Sequence, residues 1–168
     1  MTAVHRAGLE EKLNEWGIHT TTTEHPQVFT VEAMMEHVGH LKGAVTKNLF
    51  LSDKKKKLYL FSALHNRDIK LNELAKKIGA ASGGIRFADE SVLFEKLGVK
   101  QGCVTAFALI NDVAGDVKFC IDADLINGTY DTIYFHPLDN AASSGISPED
   151  FKKFLTAVKH EPLSVSFD

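Results

Sequence analysis

Three short polar segments interrupt apolar, strand-like sequence and contain the residues best suited to chemistry. Lys47 and Asn48 precede an apolar run, a second segment spans Gly102 to Thr105, and His136 ends a third. A lysine ammonium can hold a phosphate or a ribose as a point charge. Glycine lets main-chain amides approach a ligand closely, and a neutral histidine can accept a hydrogen bond near pH 7. The set therefore suits binding and polarising a polar substrate.

Common catalytic signatures are absent from the sequence. There is no phosphate-binding G-x-x-x-x-G-K-[ST], no dinucleotide-binding G-x-G-x-x-G after a strand, and no G-x-S-x-G nucleophile elbow. His37 and His40 are the nearest approach to paired metal ligands, but zinc needs three or four converging donors, and the two cysteines have no C-x-x-C partner. We expect exposed or helix-capping histidines and no metal.

Periodic apolar residues predict the helices that position these segments. The first helix carries Leu9, Leu13 and Trp16 and ends at Gly17, and a second covers residues 31–38 after Thr30 as N-cap. Two further helices, over residues 71–78 and 89–97, each end at a glycine. Ser147-Pro148 begins the last one, whose apolar face includes Phe151, Phe154, Leu155 and Val158.

The strands are predicted from β-rich runs bounded by turn residues. Lys47–Leu51 and Leu58–Leu64 form a hairpin with lysines at its tip, and Val104–Ile110 and Val117–Ile121 form a second one. A short strand covers Thr132–Phe135. Hairpins interleaved with helices indicate an α+β fold with a mixed, largely antiparallel central sheet flanked by helices.

Length and composition indicate one globular domain. A chain of 168 residues, with 44% hydrophobic and 24% charged residues, fits a single domain over residues 1–168. The first residues resemble neither a secretory signal nor a mitochondrial presequence, and no apolar run is long enough to span a bilayer. We therefore expect a cytoplasmic protein without membrane contact, with Cys103 and Cys120 as free thiols.

Charge is distributed unevenly along the chain. The net charge is -3, which disfavours indiscriminate nucleic-acid binding, yet the segment from Lys42 to Lys100 holds 13 Lys and Arg against 6 Asp and Glu. This excess predicts a positive patch if the basic residues cluster in space. Mixing with acidic residues on the folded surface is the alternative.

Four segments together resemble a known family. They are HPQVFTVEAM (25–34), LKGAVTKNLFL (41–51), FADESVLFEKLGVKQGCVT (87–105) and FHPLDN (135–140), with SPEDFKKFL near the end. The chain resembles the YbaK/ProX family of aminoacyl-tRNA editing domains, most closely its eukaryotic branch. The resemblance implies hydrolysis of Ala-tRNA(Pro) without a cofactor, tRNA(Pro) charged with a small amino acid as partner, prolyl-tRNA synthetase as a second partner, and no DNA.

The resemblance also implies roles for individual residues. Lys47 matches the family's lysine, Gly102 opens its substrate loop, and His136 matches its histidine; these three are the expected catalytic residues. Neighbouring strand residues point to opposite faces, so Lys47 rather than Asn48 is favoured as the direct contact. The further expected substrate contacts are Asn48, Cys103, Val104, Thr105, Phe29, Thr30, Met34, Phe50 and Asn140. For each of these positions an ordinary structural role is the alternative.

Two features leave alternatives open. The family's loop has the form G-x-x-x-P, but Ala106 stands where the proline is expected. Removal of serine or cysteine from tRNA is therefore a rival function. A non-catalytic module that binds tRNA or synthetase is a second rival, which loss of Lys47 or of the glycine loop would have favoured; both are present. Lys54, Lys55, Lys56 and Lys57 are expected to contact tRNA phosphates, against the alternative of a merely solvated hairpin tip. Cys103 as a nucleophile is disfavoured because nothing nearby would lower its pKa.

Overall fold

The computed structural model describes residues 3–80 and 84–167, which fold into an eight-stranded mixed sheet flanked by helices. The helices are α1 (Arg6–Glu15), α2 (Val31–Val38), α3 (Leu71–Ile78), α4 (Glu90–Leu97) and α5 (Pro148–Ala157), with 3-10 turns at Ala106–Asn111 and Ala123–Leu125. The strands are β1 (Thr20–Glu24), β2 (Ala44–Asp53), β3 (Leu58–Leu64), β4 (Ile85–Phe87), β5 (Val117–Asp122), β6 (Ile133–Phe135), β7 (Ala142–Ile146) and β8 (Leu163–Val165). The predicted α+β class is confirmed.

The sheet runs in the order β1-β7-β6-β2-β3-β5-β8, and β4 pairs with β2 beside this path. Pairing is antiparallel between β1 and β7, β6 and β7, β2 and β3, and β2 and β4. It is parallel between β2 and β6, β3 and β5, and β5 and β8. β2 is therefore the strand on which three neighbours converge.

The helix ends follow from local capping chemistry. The Thr30 hydroxyl accepts from the Ala33 amide at the start of α2, and the Ser147 hydroxyl caps α5 in the same way, followed by Pro148. α3 and α4 end at Gly79 and Gly98, whose φ values of 71° and 68° suit residues without a Cβ. Asp89 precedes α4 as expected, but its side chain makes no capping hydrogen bond.

The predicted second hairpin is wrong. Residues 106–111 form a 3-10 turn instead of a strand, begun by the buried Thr105 hydroxyl, which accepts from the Phe107 amide. The strand over Val117–Asp122 is real, but it pairs in parallel with β3 and β8. The apolar run from Ala106 to Leu109 is buried all round, so its composition could not distinguish a strand from a buried turn.

The core divides between the two faces of the sheet. The larger cluster packs α1, α4 and α5 on one face around Phe107, Phe135, Phe151 and Phe154, and α3 covers a smaller cluster on the other face. A third cluster lies under α2. In the part of the chain that the structure describes, every helix is too short or too polar to cross a membrane.

Candidate active site

The site lies at an interruption along one edge of β2. On one side β2 pairs continuously with β3; on the other it pairs with β6 at Ala44 and Val45 and with β4 at Leu51, Ser52 and Asp53. Between these contacts no other described strand pairs with residues 46–50. A cavity of about 400 Å³ opens at this gap, within the size range of small-ligand sites.

The gap exposes main-chain polar groups to the cavity. The amide of Ala44 donates to Thr132 and the carbonyl of Phe50 accepts from Ala88, so the main-chain groups of these even-numbered residues point away from β3. Because this direction alternates along a strand, the amide and carbonyl of Asn48 point into the gap as well. The cavity therefore offers a strand edge to a ligand.

Both Lys47 and Asn48 line the cavity, although strand alternation alone favoured only Lys47 as the direct contact. Their side chains leave opposite faces of β2: Lys47 reaches the Arg67 carbonyl, whereas Asn48 accepts from the buried Ser62 hydroxyl and donates to Thr46 at 3.3 Å. The cavity is reached from the open strand edge, and an edge exposes neighbours on both faces. Strand alternation would exclude one of the two residues only if the cavity lay on one face of the sheet.

The Lys47 ammonium is half-buried and is held in place by a main-chain carbonyl. Burial lowers its pKa below the ordinary value, and the nearby Asp68 carboxylate opposes that shift. The Nζ atom donates to the main-chain carbonyl of Arg67. The Arg67 guanidinium is fixed in turn by Asp122, which is 1% exposed, at 3.0 Å and by Asp124 at 2.6 Å. Sequence analysis did not identify this network.

Gly102 closes another side of the cavity with a backbone that other residues rarely adopt. Its φ is +92°, and a Cβ placed there would lie 2.9 Å from the Phe29 ring and 3.4 Å from the Asn140 amide. Glycine is thus required both for its conformation and for the close packing of Phe29. Val104, two residues on, also lines the cavity.

His136 lies at the cavity wall with a defined hydrogen-bond partner. Its Nδ1 is 2.8 Å from the Ala142 carbonyl, which can only accept, so Nδ1 carries the proton and Nε2 is left as the acceptor. Burial lowers the pKa of the ring, and the hydrogen bond to Ala142 opposes this shift. The His25 ring, whose centroid lies 6.2 Å away, lowers the pKa further. The imidazole is therefore neutral near pH 7.

The predicted wall residues Phe29, Thr30, Met34 and Phe50 all line the cavity. Several lining residues were not predicted. Those from the end of β4, the start of α4 and the segment beside Gly102 are Phe87, Ala88, Glu90, Leu93 and Gln101, and those near α2 and on β2 are Val28, Val31, Thr46 and Leu49. Phe87 and Glu90 fall inside the FADESVLFEKLG segment that carried the resemblance, so a signal was present but was not converted into site residues.

Cys103, Thr105 and Asn140 do not line the cavity, although they were expected to contact substrate. Burial raises the pKa of the Cys103 thiol, and a hydrogen bond from the main chain of Asn140 offsets only part of this rise. The sulfur is therefore a poor nucleophile near pH 7. Thr105 caps the 3-10 turn. The Asn140 side chain donates to the Val28 carbonyl at 2.6 Å and packs behind Gly102, which makes these residues supports of the site.

Two other expectations are placed outside the cavity. Lys54, Lys55, Lys56 and Lys57 form the exposed tip of the β2–β3 hairpin, beyond the cavity's edge. His37 stacks on His25 with ring centroids 5.7 Å apart, and His40 is exposed. Within residues 3–80 and 84–167, no three His, Cys, Asp or Glu side chains are grouped so that they could hold a metal ion.

Known proteins share this sequence and this fold. A family model described as an aminoacyl-tRNA editing domain matches residues 25–154. Prolyl-tRNA synthetase associated domain-containing protein 1 of Bos taurus is 54% identical over 164 residues, which cover 97% of this chain and 95% of the relative. Prolyl-tRNA editing protein ProX of Acetoanaerobium sticklandii is 34% identical over 151 residues, 87% of each chain.

The fold itself recurs in solved structures. The crystal structure of a candidate trans-editing enzyme for prolyl-tRNA synthetase superposes with a TM-score of 0.70, covering 99% of this chain and 100% of that one. The two sequences are 19% identical. At 19% identity the superposition supports the shared fold alone. Membership of the family rests on the family model and on the sequence relatives.

Proposed function

Because this chain belongs to the family of aminoacyl-tRNA editing domains, we propose that it is a trans-acting deacylase that hydrolyses alanine from mischarged tRNA(Pro). The observation that carries the proposal is the cavity at the open edge of β2, where Lys47, Gly102 and His136 meet. Its relatives are named for prolyl-tRNA synthetase and prolyl-tRNA editing, which favours tRNA(Pro) as the partner. The proposal places the protein in the cytoplasm, alongside prolyl-tRNA synthetase.

Ester hydrolysis needs a polarised carbonyl, a positioned water and a leaving oxygen that gains a proton. In the proposed reaction, main-chain amides of the Gly102 loop donate to the ester carbonyl and stabilise the charge that develops on its oxygen. The water oxygen bonds to the carbonyl carbon as the ribose oxygen leaves and takes up a proton. The neighbouring ribose hydroxyl of the substrate positions that water, so no side-chain nucleophile is required.

The side chains of the cavity bind and orient. Lys47 holds the ribose or phosphate of the terminal nucleotide through its ammonium group. His136, neutral and protonated on Nδ1, presents Nε2 as an acceptor for the α-amino group of the amino acid. Met34 and Phe50 form apolar wall around the small side chain.

Selectivity follows from size. A synthetase pocket built for proline rejects alanine by only about 1–3 kcal/mol, because the difference is a few methylene groups. A second site that admits alanine and excludes the proline ring removes the error. Ala106 in place of the family's proline favours one variant of this function, in which serine or cysteine is the amino acid removed.

The proposal is tested by offering the purified protein Ala-tRNA(Pro), Ser-tRNA(Pro), Cys-tRNA(Pro) and Pro-tRNA(Pro) in the presence of a chelator, with substrate in large excess. We expect catalytic release of alanine and no release of proline. Release of serine or cysteine alone would shift the substrate. No release from any of the four would leave a non-catalytic module that binds tRNA or synthetase.

Lys47→Ala is the variant that ties this activity to the cavity. Loss of a charged hydrogen bond is worth about 1.5–3 kcal/mol, so turnover should fall about 10- to 100-fold while the protein stays folded. Lys152→Ala, on the exposed side of α5, is the matched control and should retain activity. Near-normal deacylation by Lys47→Ala would remove Lys47 from the mechanism.

A further inference from the structure

Two phenylalanines at the mouth of the cavity are unusually exposed. Phe29 is 70% exposed and Phe87 is 61% exposed, yet both line the cavity. They come from separate segments, the loop before α2 and the end of β4. Large aromatic side chains are mostly covered in folded proteins, so two of them at one opening call for a ligand.

Neither ring is engaged by the fold as core aromatics are. Phe107, Phe135, Phe151 and Phe154 stack on one another, but Phe29 and Phe87 stack on no other ring among residues 3–80 and 84–167. Both also lie outside the buried clusters. Although Phe29 contacts Gly102, most of each ring is exposed and can stack on a flat group of a ligand.

We propose that Phe29 and Phe87 form a base-stacking subsite for the single-stranded 3′ end of tRNA. The inference rests on the proposed function, because it takes the aminoacyl group to occupy the cavity. That group is esterified to the ribose of the last nucleotide, so the attached base must lie at the cavity mouth, where the two rings are. Stacking on aromatic side chains holds unpaired bases without reading their sequence.

The charges beside Gly102 fit a nucleic-acid strand. Lys100, two residues before Gly102, is exposed and forms no ion pair with another described residue. It can approach a backbone phosphate beside the stacked base. Glu90, which lines the cavity, would repel a phosphate but can accept from a base amino group. At the cavity mouth a base therefore fits better than a phosphate.

The test uses an uncharged acceptor-stem minihelix with 2-aminopurine as its last base, whose fluorescence is quenched by stacking. We expect wild-type protein to quench it, and Phe29→Leu and Phe87→Leu to bind the minihelix about tenfold more weakly with little quenching. Phe29→Trp and Phe87→Trp should keep both. A blunt duplex without an unpaired end should show no quenching.

Controls separate stacking from damage to the fold. Phe94 is 56% exposed on α4 but does not line the cavity, so Phe94→Leu should behave as wild type. Phe29 packs against Gly102, so its replacement also alters the packing of the loop, whereas Phe87 is not among the atoms nearest to the Gly102 Cβ position and tests the subsite independently. Leucine variants that quench and bind as wild type would overturn the subsite.

The binding test does not depend on hydrolysis, so the two proposals fail separately. If the wild type deacylates but the Phe87→Leu variant binds and quenches normally, the subsite is wrong and the deacylase stands. If quenching depends on both rings but no charged tRNA is hydrolysed, the subsite stands and the deacylase is wrong. If neither ring matters and nothing is hydrolysed, both proposals fall.

Discussion

Lys47, Gly102 and His136 are each tied to the fold by a different kind of constraint. Lys47 is held by a hydrogen bond to the Arg67 carbonyl, Gly102 by a left-handed backbone, and His136 by burial and a bond to the Ala142 carbonyl. Each constraint fixes the position or the charge of one group at the cavity. Substitutions that change one constraint at a time can therefore assign a role to each residue.

Gly102→Ala tests whether the close packing of the loop matters beyond its backbone strain. The new methyl group would meet the Phe29 ring at 2.9 Å with φ at +92°. Gly115 is the matched control, since its φ is +76° and nothing lies within 4 Å of its Cβ position. Both alanine variants should lose about 1–2 kcal/mol of unfolding free energy, but only Gly102→Ala should lose most deacylation. Equal activities would leave Gly102 with a structural role only.

The lowered pKa of His136 predicts a pH-dependent stability. Its ordinary value is 6.5, and burial disfavours the charged ring in the folded state. The unfolded chain therefore takes up the proton first as pH falls. The contribution of the neutral ring to the free energy of unfolding is complete above pH 6.5 and is lost as pH falls through the lower folded pKa. Urea unfolding at several pH values between 7.5 and 5 measures this slope. His136→Asn should flatten it, and an unchanged slope would contradict a buried neutral ring.

At the scale of elements, the segment between β3 and α3 positions the lysine. Its Arg67 side chain bonds Asp122 on β5 and Asp124 in the following 3-10 turn, and its carbonyl receives Lys47 from β2. The segment thereby links three elements behind the cavity. A rigid support of this kind keeps the ammonium within reach of substrate although the side chain is long and flexible.

Arg67→Ala should therefore lower kcat about tenfold as well as stability, because it frees the segment and leaves the buried Asp122 carboxylate without its charged partner. The loss of stability should be about 3 kcal/mol. Asp124→Asn is the mild control, since that carboxylate is 42% exposed and such pairs contribute little. Steady-state kinetics and urea unfolding separate the two effects. A folded Arg67→Ala enzyme with wild-type kcat would show that the segment does not position Lys47.

Local chemistry made much of the fold predictable. The caps Thr30 and Ser147 and the terminal glycines Gly79 and Gly98 lie where the sequence indicated, and the β2–β3 hairpin is confirmed. β4, β7 and β8 were missed because they have three to five residues and little alternation; β7 reads ASSGI. β5 was assigned to a hairpin because turn residues precede it, whereas its parallel partner β3 is distant in sequence.

The candidate site could be predicted at positions where the residue type itself indicates a chemical role. Lys47, Gly102 and His136 meet at one cavity, and the resemblance that selected them is confirmed at the level of the family. Phe87 was missed because an aromatic residue in a strand is ordinarily core, and only the folded chain shows that it is exposed. The strand gap was invisible too, since it depends on which strands pair with β2.

At the scale of the whole molecule, a protein with a net negative charge is proposed to bind tRNA, which is also negatively charged. The net charge is -3, so attraction to the proposed tRNA partner is expected from the basic central segment. Four of its lysines form the exposed tip of the β2–β3 hairpin, outside the cavity. A tip that projects beyond the cavity could meet the acceptor stem while the 3′ end occupies the mouth.

Replacing Lys54, Lys55, Lys56 and Lys57 by glutamine tests this arrangement. Each phosphate contact releases counterions, so the variant should raise KM for charged tRNA at low salt and reduce the dependence of log KM on log salt by up to about 3 units of slope. The value of kcat should stay near wild type, because these residues lie outside the cavity. Steady-state deacylation across a salt series measures all three quantities.

The control for the tip variant replaces four lysines on α1, on α5 and just after α5: Lys12, Lys152, Lys153 and Lys159. It changes the net charge of the protein by the same amount but removes no charge from the central segment. If only the tip variant loses salt dependence, the hairpin contacts phosphates at fixed positions. If both variants lose it equally, the attraction is a property of total charge and the tip is merely solvated, as an isolated run of lysines would ordinarily be.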